Sequence, residues 1–191
     1  MQNATSLSQS LSGGLVRSFG AIVLGSVLMT LAAKYQVPFY PVPMSLQTLV
    51  AIGVGFAFGP VLGSLSIVFY LVEGALGLPV FANAPERGIG LAYMMGPTGG
   101  YLVGFVLAAA TAGLLSRRFR VRRYRSALVV ALSAGAMVYL PGLAWLGSMI
   151  GYGRTLLDAG FYPFLPGDLI KAGIAALVYV QAMRIRDHSK A

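Results

Sequence analysis

The chain has 191 residues, 57% hydrophobic and only 10% charged, whereas charged residues make up about a quarter of an ordinary soluble domain. That balance excludes a soluble globular enzyme and points to an integral membrane protein of one domain. The absence of cysteine excludes disulfide, thiol and Cys-ligated metal chemistry. The net charge of +9 suits nucleic acid in principle, but the basic residues cluster at the ends of apolar runs, the pattern that orients membrane helices.

Residues 1–14 are polar and Ser-rich and are expected to be disordered; the membrane domain is expected over 15–186, with a short cytoplasmic tail over 187–191. The first span falls at about 15–33, with a small-xxx-small face at Ala21 and Gly25 that suits either a partner helix or packing within the chain. QVPFYPVPMS at 36–45 carries three prolines and cannot be helical. A second, short span follows at 46–58, with Gln47 near its start, then a break at Gly59-Pro60 and a third span at 61–78. Glu73 lies inside that third span, where a carboxylate is costly unless it is paired, protonated or wet.

The connection over 79–97 is too irregular to meet lipid, so it caps the protein or lines a cavity. A fourth span at 99–115 runs into SRRFRVRRYRS, with six arginines between Arg117 and Arg125. The fifth span is placed at 127–146, with Trp145 near an interface; an irregular loop follows over 147–167, and the sixth span runs from Asp168 to about Met183. The expected fold is therefore all-α, with six transmembrane helices. Placing the arginine loop in the cytoplasm puts both termini there too, together with Arg17, Arg184, Arg186 and Lys190. The three Pro/Gly-rich segments then share the outer side, an asymmetry that suits capture of something from outside.

FLPGDLIK at 164–171 sets Asp168 and Lys171 three residues apart at the mouth of an apolar helix. One reading makes Asp168 an N-cap and Lys171 a snorkelling interfacial residue; the other makes the pair a binding site. No G-x-x-x-x-G-K-[ST] loop is present, so if the protein pumps by nucleotide hydrolysis, the ATPase is another subunit. The only histidine, His188, lies in the polar tail, which leaves metal and nucleophilic catalysis without their usual residues. A polar set remains, Gln47, Asn83, Thr98, Tyr101, Asp168 and Lys171, with Phe39, Tyr40, Phe81 and Tyr93 nearby, and it suits a small amphipathic ligand.

PVPMSLQTL at 41–49, YLVEGALGLPVFA at 70–82, GPTGGYLVGF at 96–105 and FLPGDLIKA at 164–172 resemble the BioY family. These are the biotin-specific substrate-binding (S) components of energy-coupling factor (ECF) transporters, multi-pass proteins of the bacterial plasma membrane. The resemblance implies the S-component fold, biotin as ligand, and as partners a transmembrane coupling subunit and a pair of ABC ATPases that use the ATP. It implies no cofactor in this chain and leaves a homo-oligomer as the alternative assembly. It assigns ligand binding to Asp168, Lys171, Thr98, Tyr101, Gln47 and Asn83, and partner docking to Ala21 and Gly25. An S component for a different vitamin and a membrane enzyme using Glu73 or Asp168 are the competing readings.

Overall fold

The structure, a computed structural model, describes residues 2–37 and 40–189, with side chains from residue 14 onward. The expected disorder over 1–14 thus falls almost wholly outside the described side chains, and Phe39 lies outside the described residues. Helix α1 (Gln2–Lys34) leads into two short antiparallel strands, β1 (Gln36–Val37) and β2 (Met44–Ser45), paired Gln36 to Ser45 and Val37 to Met44. Then come α2 (Gln47–Ala75), α3 (Gly90–Met94), α4 (Gly99–Arg118), α5 (Tyr124–Ile150), α6 (Arg154–Gly160), a 3-10 turn (Tyr162–Phe164) and α7 (Leu165–His188).

Five helical stretches among the described residues are long and apolar enough to cross a membrane, one fewer than the six spans expected. The difference lies at Gly59-Pro60, because the expected second and third spans form one broken element, α2. Gly59 sits at φ 85° and ψ −177°, a conformation open essentially to glycine alone. Pro60 has no N–H to donate across the break. The two arms fold back on each other. Gln47 Nε2 donates to Tyr70 Oη at 2.9 Å, although 23 residues of straight helix would separate the two by about 34 Å. The Phe58 carbonyl freed at the break accepts from Arg117 Nη2 at 2.9 Å. A Gly59→Ala variant is expected to lose about 1–3 kcal/mol of stability in thermal unfolding. Gly20→Ala, where an added Cβ meets nothing within 4 Å, is expected to be near neutral.

Helix α4 is the most enclosed, with 61% of its most apolar stretch buried against 22% for α1. It packs by backbone contact. A Cβ at Gly104 would lie 2.5 Å from the Val138 carbonyl oxygen of α5, and one at Gly55 would lie 2.4 Å from the Ala109 oxygen of α4. Such approach is what small residues give membrane helices, which lack a hydrophobic force to draw them together. Helix α7 buries a stripe of Ala172, Ala175, Ala176 and Val180, and on it stands one charged residue, Lys171.

The long connection after α2 is gathered by a side chain that carried no sequence signal. The Lys34 ammonium, at the end of α1, donates to the carbonyls of Pro79, Phe81 and Ala84 at 2.6, 3.1 and 3.1 Å. The 147–167 segment, expected to be an irregular loop, contains α6 and the 3-10 turn, and α7 begins at Leu165 rather than Asp168.

Candidate ligand-binding site

Because α7 starts at Leu165 with Pro166 in its first turn, Asp168 is inside the helix and its carboxylate is not an N-cap. Both its oxygens turn to other side chains. Lys171 Nζ lies 2.6 Å from Asp168 Oδ1, and the Tyr139 hydroxyl donates to Oδ2. Lys171 Nζ also donates to the Ser45 carbonyl of β2 at 3.1 Å, which ties α7 to the Pro-rich segment. The Lys171 and Asp168 side chains are only 8% and 17% exposed. The low dielectric strengthens their attraction and makes either charge alone expensive.

Gln47 opens α2 beside this pair and is 2% exposed. Its Oε1 accepts from Ser45 Oγ at 3.0 Å, and the Tyr70 hydroxyl that takes its Nε2 donates onward to the Val80 carbonyl at 3.3 Å. The buried amide therefore has a partner for each end. Tyr101, on α4, donates to the Gly160 carbonyl at 2.8 Å and turns its ring edge-on to Tyr139, centroids 6.3 Å apart. Burial pushes the Tyr93 phenol above its usual range, against smaller opposing effects from Thr98 and Arg87, so it remains a neutral hydroxyl.

Asp168, Lys171, Gln47, Thr98 and Tyr101 all line one cavity of about 30 Å³. That is room for about two water-sized groups, so a larger ligand must part the walls. Sequence reasoning missed Tyr139, Ser45, Thr48, Phe105 and Phe164 in the same lining. Tyr139 sits in an unbroken apolar run, and its one clue was a phenol needing a partner once buried.

Other expected residues lie elsewhere. Asn83 accepts from Gln36 Nε2 and lines a separate, open pocket with Lys34, Glu86 and Arg87. Phe81 stacks on Tyr93, centroids 4.8 Å apart, and meets Tyr70 edge-on, forming core rather than cavity wall. Tyr40 is 85% exposed, with the Arg87 guanidinium 5.9 Å from its ring centroid. Glu73 accepts from Ser26 Oγ and does not line the cavity, while Asp168 is held by Lys171 and Tyr139; no acid–base pair of these two carboxylates is assembled. Gly25 is buried, and a Cβ there would lie 2.5 Å from Ser66 Oγ, which also donates to the Ala21 carbonyl at 3.4 Å. The small-xxx-small face of α1 thus closes onto α2 of the same chain.

The sequence model of the BioY family matches residues 1–188. A probable biotin transporter BioY of Pyrococcus horikoshii is 38% identical over 157 residues, 82% of this chain and 90% of its own length. The biotin transporter BioY of Thermotoga maritima is 33% identical over 160 residues, 84% of this chain and 92% of its own. The biotin transporter BioY of Rhizobium etli is 36% identical over 172 residues, 86% and 88% of the two chains. The crystal structure of the S-component for biotin from an ECF-type ABC transporter superposes with a TM-score of 0.79 at 23% identity, over 90% of this chain and 93% of that one, and so shares the fold. A fold of this kind, a family match along almost the whole chain and relatives aligned over most of both lengths lead to one conclusion: the chain belongs to the BioY family.

Proposed function

We propose that this protein is the biotin-binding S component of an ECF transporter in the plasma membrane, taking biotin from the outer side. The observation that carries the reading is the convergence of Asp168, Lys171, Gln47, Thr98 and Tyr101 on one buried cavity. Because the carboxylate and ammonium are 2.6 Å apart, they address the same end of a ligand rather than two ends. The cyclic urea of biotin presents N–H donors and a carbonyl acceptor along one edge, which suits Asp168 and Lys171 respectively. The aromatic and aliphatic lining then meets the fused rings.

The two arms of α2 make separate crossings, six in all, which puts both termini on the cytoplasmic side with the arginine loop. At about 18 and 24 Å, the arms are short for a bilayer core of about 30 Å, which thins or lets flanking residues snorkel around them. This chain works without a cofactor of its own, and ATP is hydrolysed by ABC ATPase partners joined through a coupling subunit, a homo-oligomer being the alternative. With Gly25 turned inward, the coupling subunit meets the opposite side of α1, where Gly20, Leu24, Val27 and Leu31 are exposed. Gly20→Leu is expected to leave biotin affinity unchanged and to slow uptake in cells carrying the partner subunits; uptake at the parental rate removes that side from docking.

The ligand assignment is tested by thermal-shift profiling of the purified protein with biotin, thiamine and riboflavin. Stabilisation by biotin alone is expected. Stabilisation by another vitamin and not by biotin overturns the assignment.

A further inference from the structure

Toward the arginine-rich end of the molecule two cavities meet that share no lining residue with the ligand cavity. One, of about 380 Å³, is walled by Arg117, Arg120, Arg122 and Arg186. The other, of about 370 Å³, is an apolar groove between the first arm of α2 and α7. Phe56, Ala57 and Tyr179 line both, and the Phe56 and Tyr179 rings stack at the joint, centroids 4.4 Å apart. We infer that this combined site binds one anionic phospholipid, its phosphate among the arginines and an acyl chain along the groove.

The chemistry of each part restricts its occupant. The groove offers no hydrogen-bonding side chain apart from Tyr179, whose hydroxyl already donates to the Val121 carbonyl at 3.3 Å. A surface with nothing to pair accepts hydrocarbon. The arginine pocket has the opposite demand. Its one nearby carboxylate, Asp187, is taken by Arg122, and the guanidinium groups of Arg120 and Arg186 have no hydrogen-bond or ion-pair partner among the described residues. Planar guanidinium forks suit phosphate oxygens, and basic pockets between membrane helices suit anionic headgroups. A cation cluster continuous with an apolar groove is complementary to a molecule with a phosphate joined to a long chain. Gly53 leaves the groove open, since an added Cβ there would meet no atom within 4 Å.

The test uses the 191-residue protein in detergent with added phosphatidylglycerol, phosphatidylcholine of the same acyl chains, or sn-glycerol 3-phosphate, with bound molecules counted by native mass spectrometry. One phosphatidylglycerol per chain is expected at concentrations that leave phosphatidylcholine and glycerol phosphate unbound. The double variant Arg120→Gln/Arg186→Gln is expected to bind phosphatidylglycerol roughly 30-fold more weakly, from about one charge–phosphate interaction lost per arginine. Gly53→Leu, which fills the groove, is expected to lose it as well, with Gly53→Ala as a smaller change at the same place. Equal retention of the two lipids, or parental affinity in the arginine variant, overturns the inference. Glycerol phosphate bound as tightly as the lipid overturns the groove's part in it. A lipid-independent dimer dispersed by Gly53→Leu assigns the groove to a second copy instead.

Discussion

Lys171→Met is expected to destabilise the protein by about 3–5 kcal/mol, because it leaves the Asp168 carboxylate buried with Tyr139 but without a counter-charge. Methionine keeps the length of the side chain, so little volume is lost. The accompanying double variant, Asp168→Asn/Lys171→Met, separates charge from packing: it removes both ions while retaining a group that meets the Tyr139 hydroxyl. Replacing a buried pair by neutral residues of similar volume is often neutral or stabilising, so thermal unfolding is expected to return to near the parental midpoint. A single variant as stable as the parent would mean that water reaches the pair and that the cavity is not dry.

Gly104→Leu has the second-largest expected effect. The new side chain would start 2.5 Å from the Val138 carbonyl oxygen, a backbone atom that cannot swing aside. Helix α4 carries Tyr101 and α5 carries Tyr139, so forcing the two helices apart opens the cavity wall as well as the core. Overpacking of a tight core costs about 1–3 kcal/mol and occasionally more, and a branched side chain against backbone is expected at or above the top of that range. Unfolding in detergent measures it, and biotin is expected to restore little of the lost midpoint because its own site is distorted. Unchanged stability would show that α4 and α5 do not meet at Gly104.

Several of these features were legible in the sequence for physical reasons. A charged pair at the mouth of an apolar run is rare enough in a membrane protein to mark a candidate site, and the structure sets Asp168 and Lys171 in the lining of one cavity. Gly59-Pro60 announced a break, since glycine and proline each remove a helix-forming element, but whether the arms continue or fold back depends on contacts between residues far apart, such as Gln47 with Tyr70. Spacing alone could not orient Ala21 and Gly25, because a small-residue stripe looks the same whether it meets a partner or the next helix of its own chain. Asn83 went to another pocket because the path of the 79–97 segment is set by Lys34, whose bonds to three carbonyls leave no local pattern. Tyr139 was hidden because one phenol in an apolar helix is equally at home in core, at an interface or in a site.

Biotin binding by the Asp168–Lys171 pair is tested by calorimetric titration of biotin into the purified, unmodified protein and, side by side, into the Asp168→Asn/Lys171→Met variant once thermal unfolding has shown it to be folded. One-site binding by the parent is expected, with affinity weaker by roughly ten- to a hundred-fold in the variant, as for loss of a charge-assisted hydrogen bond. Undiminished binding by the folded variant, or none by the folded parent, would contradict it.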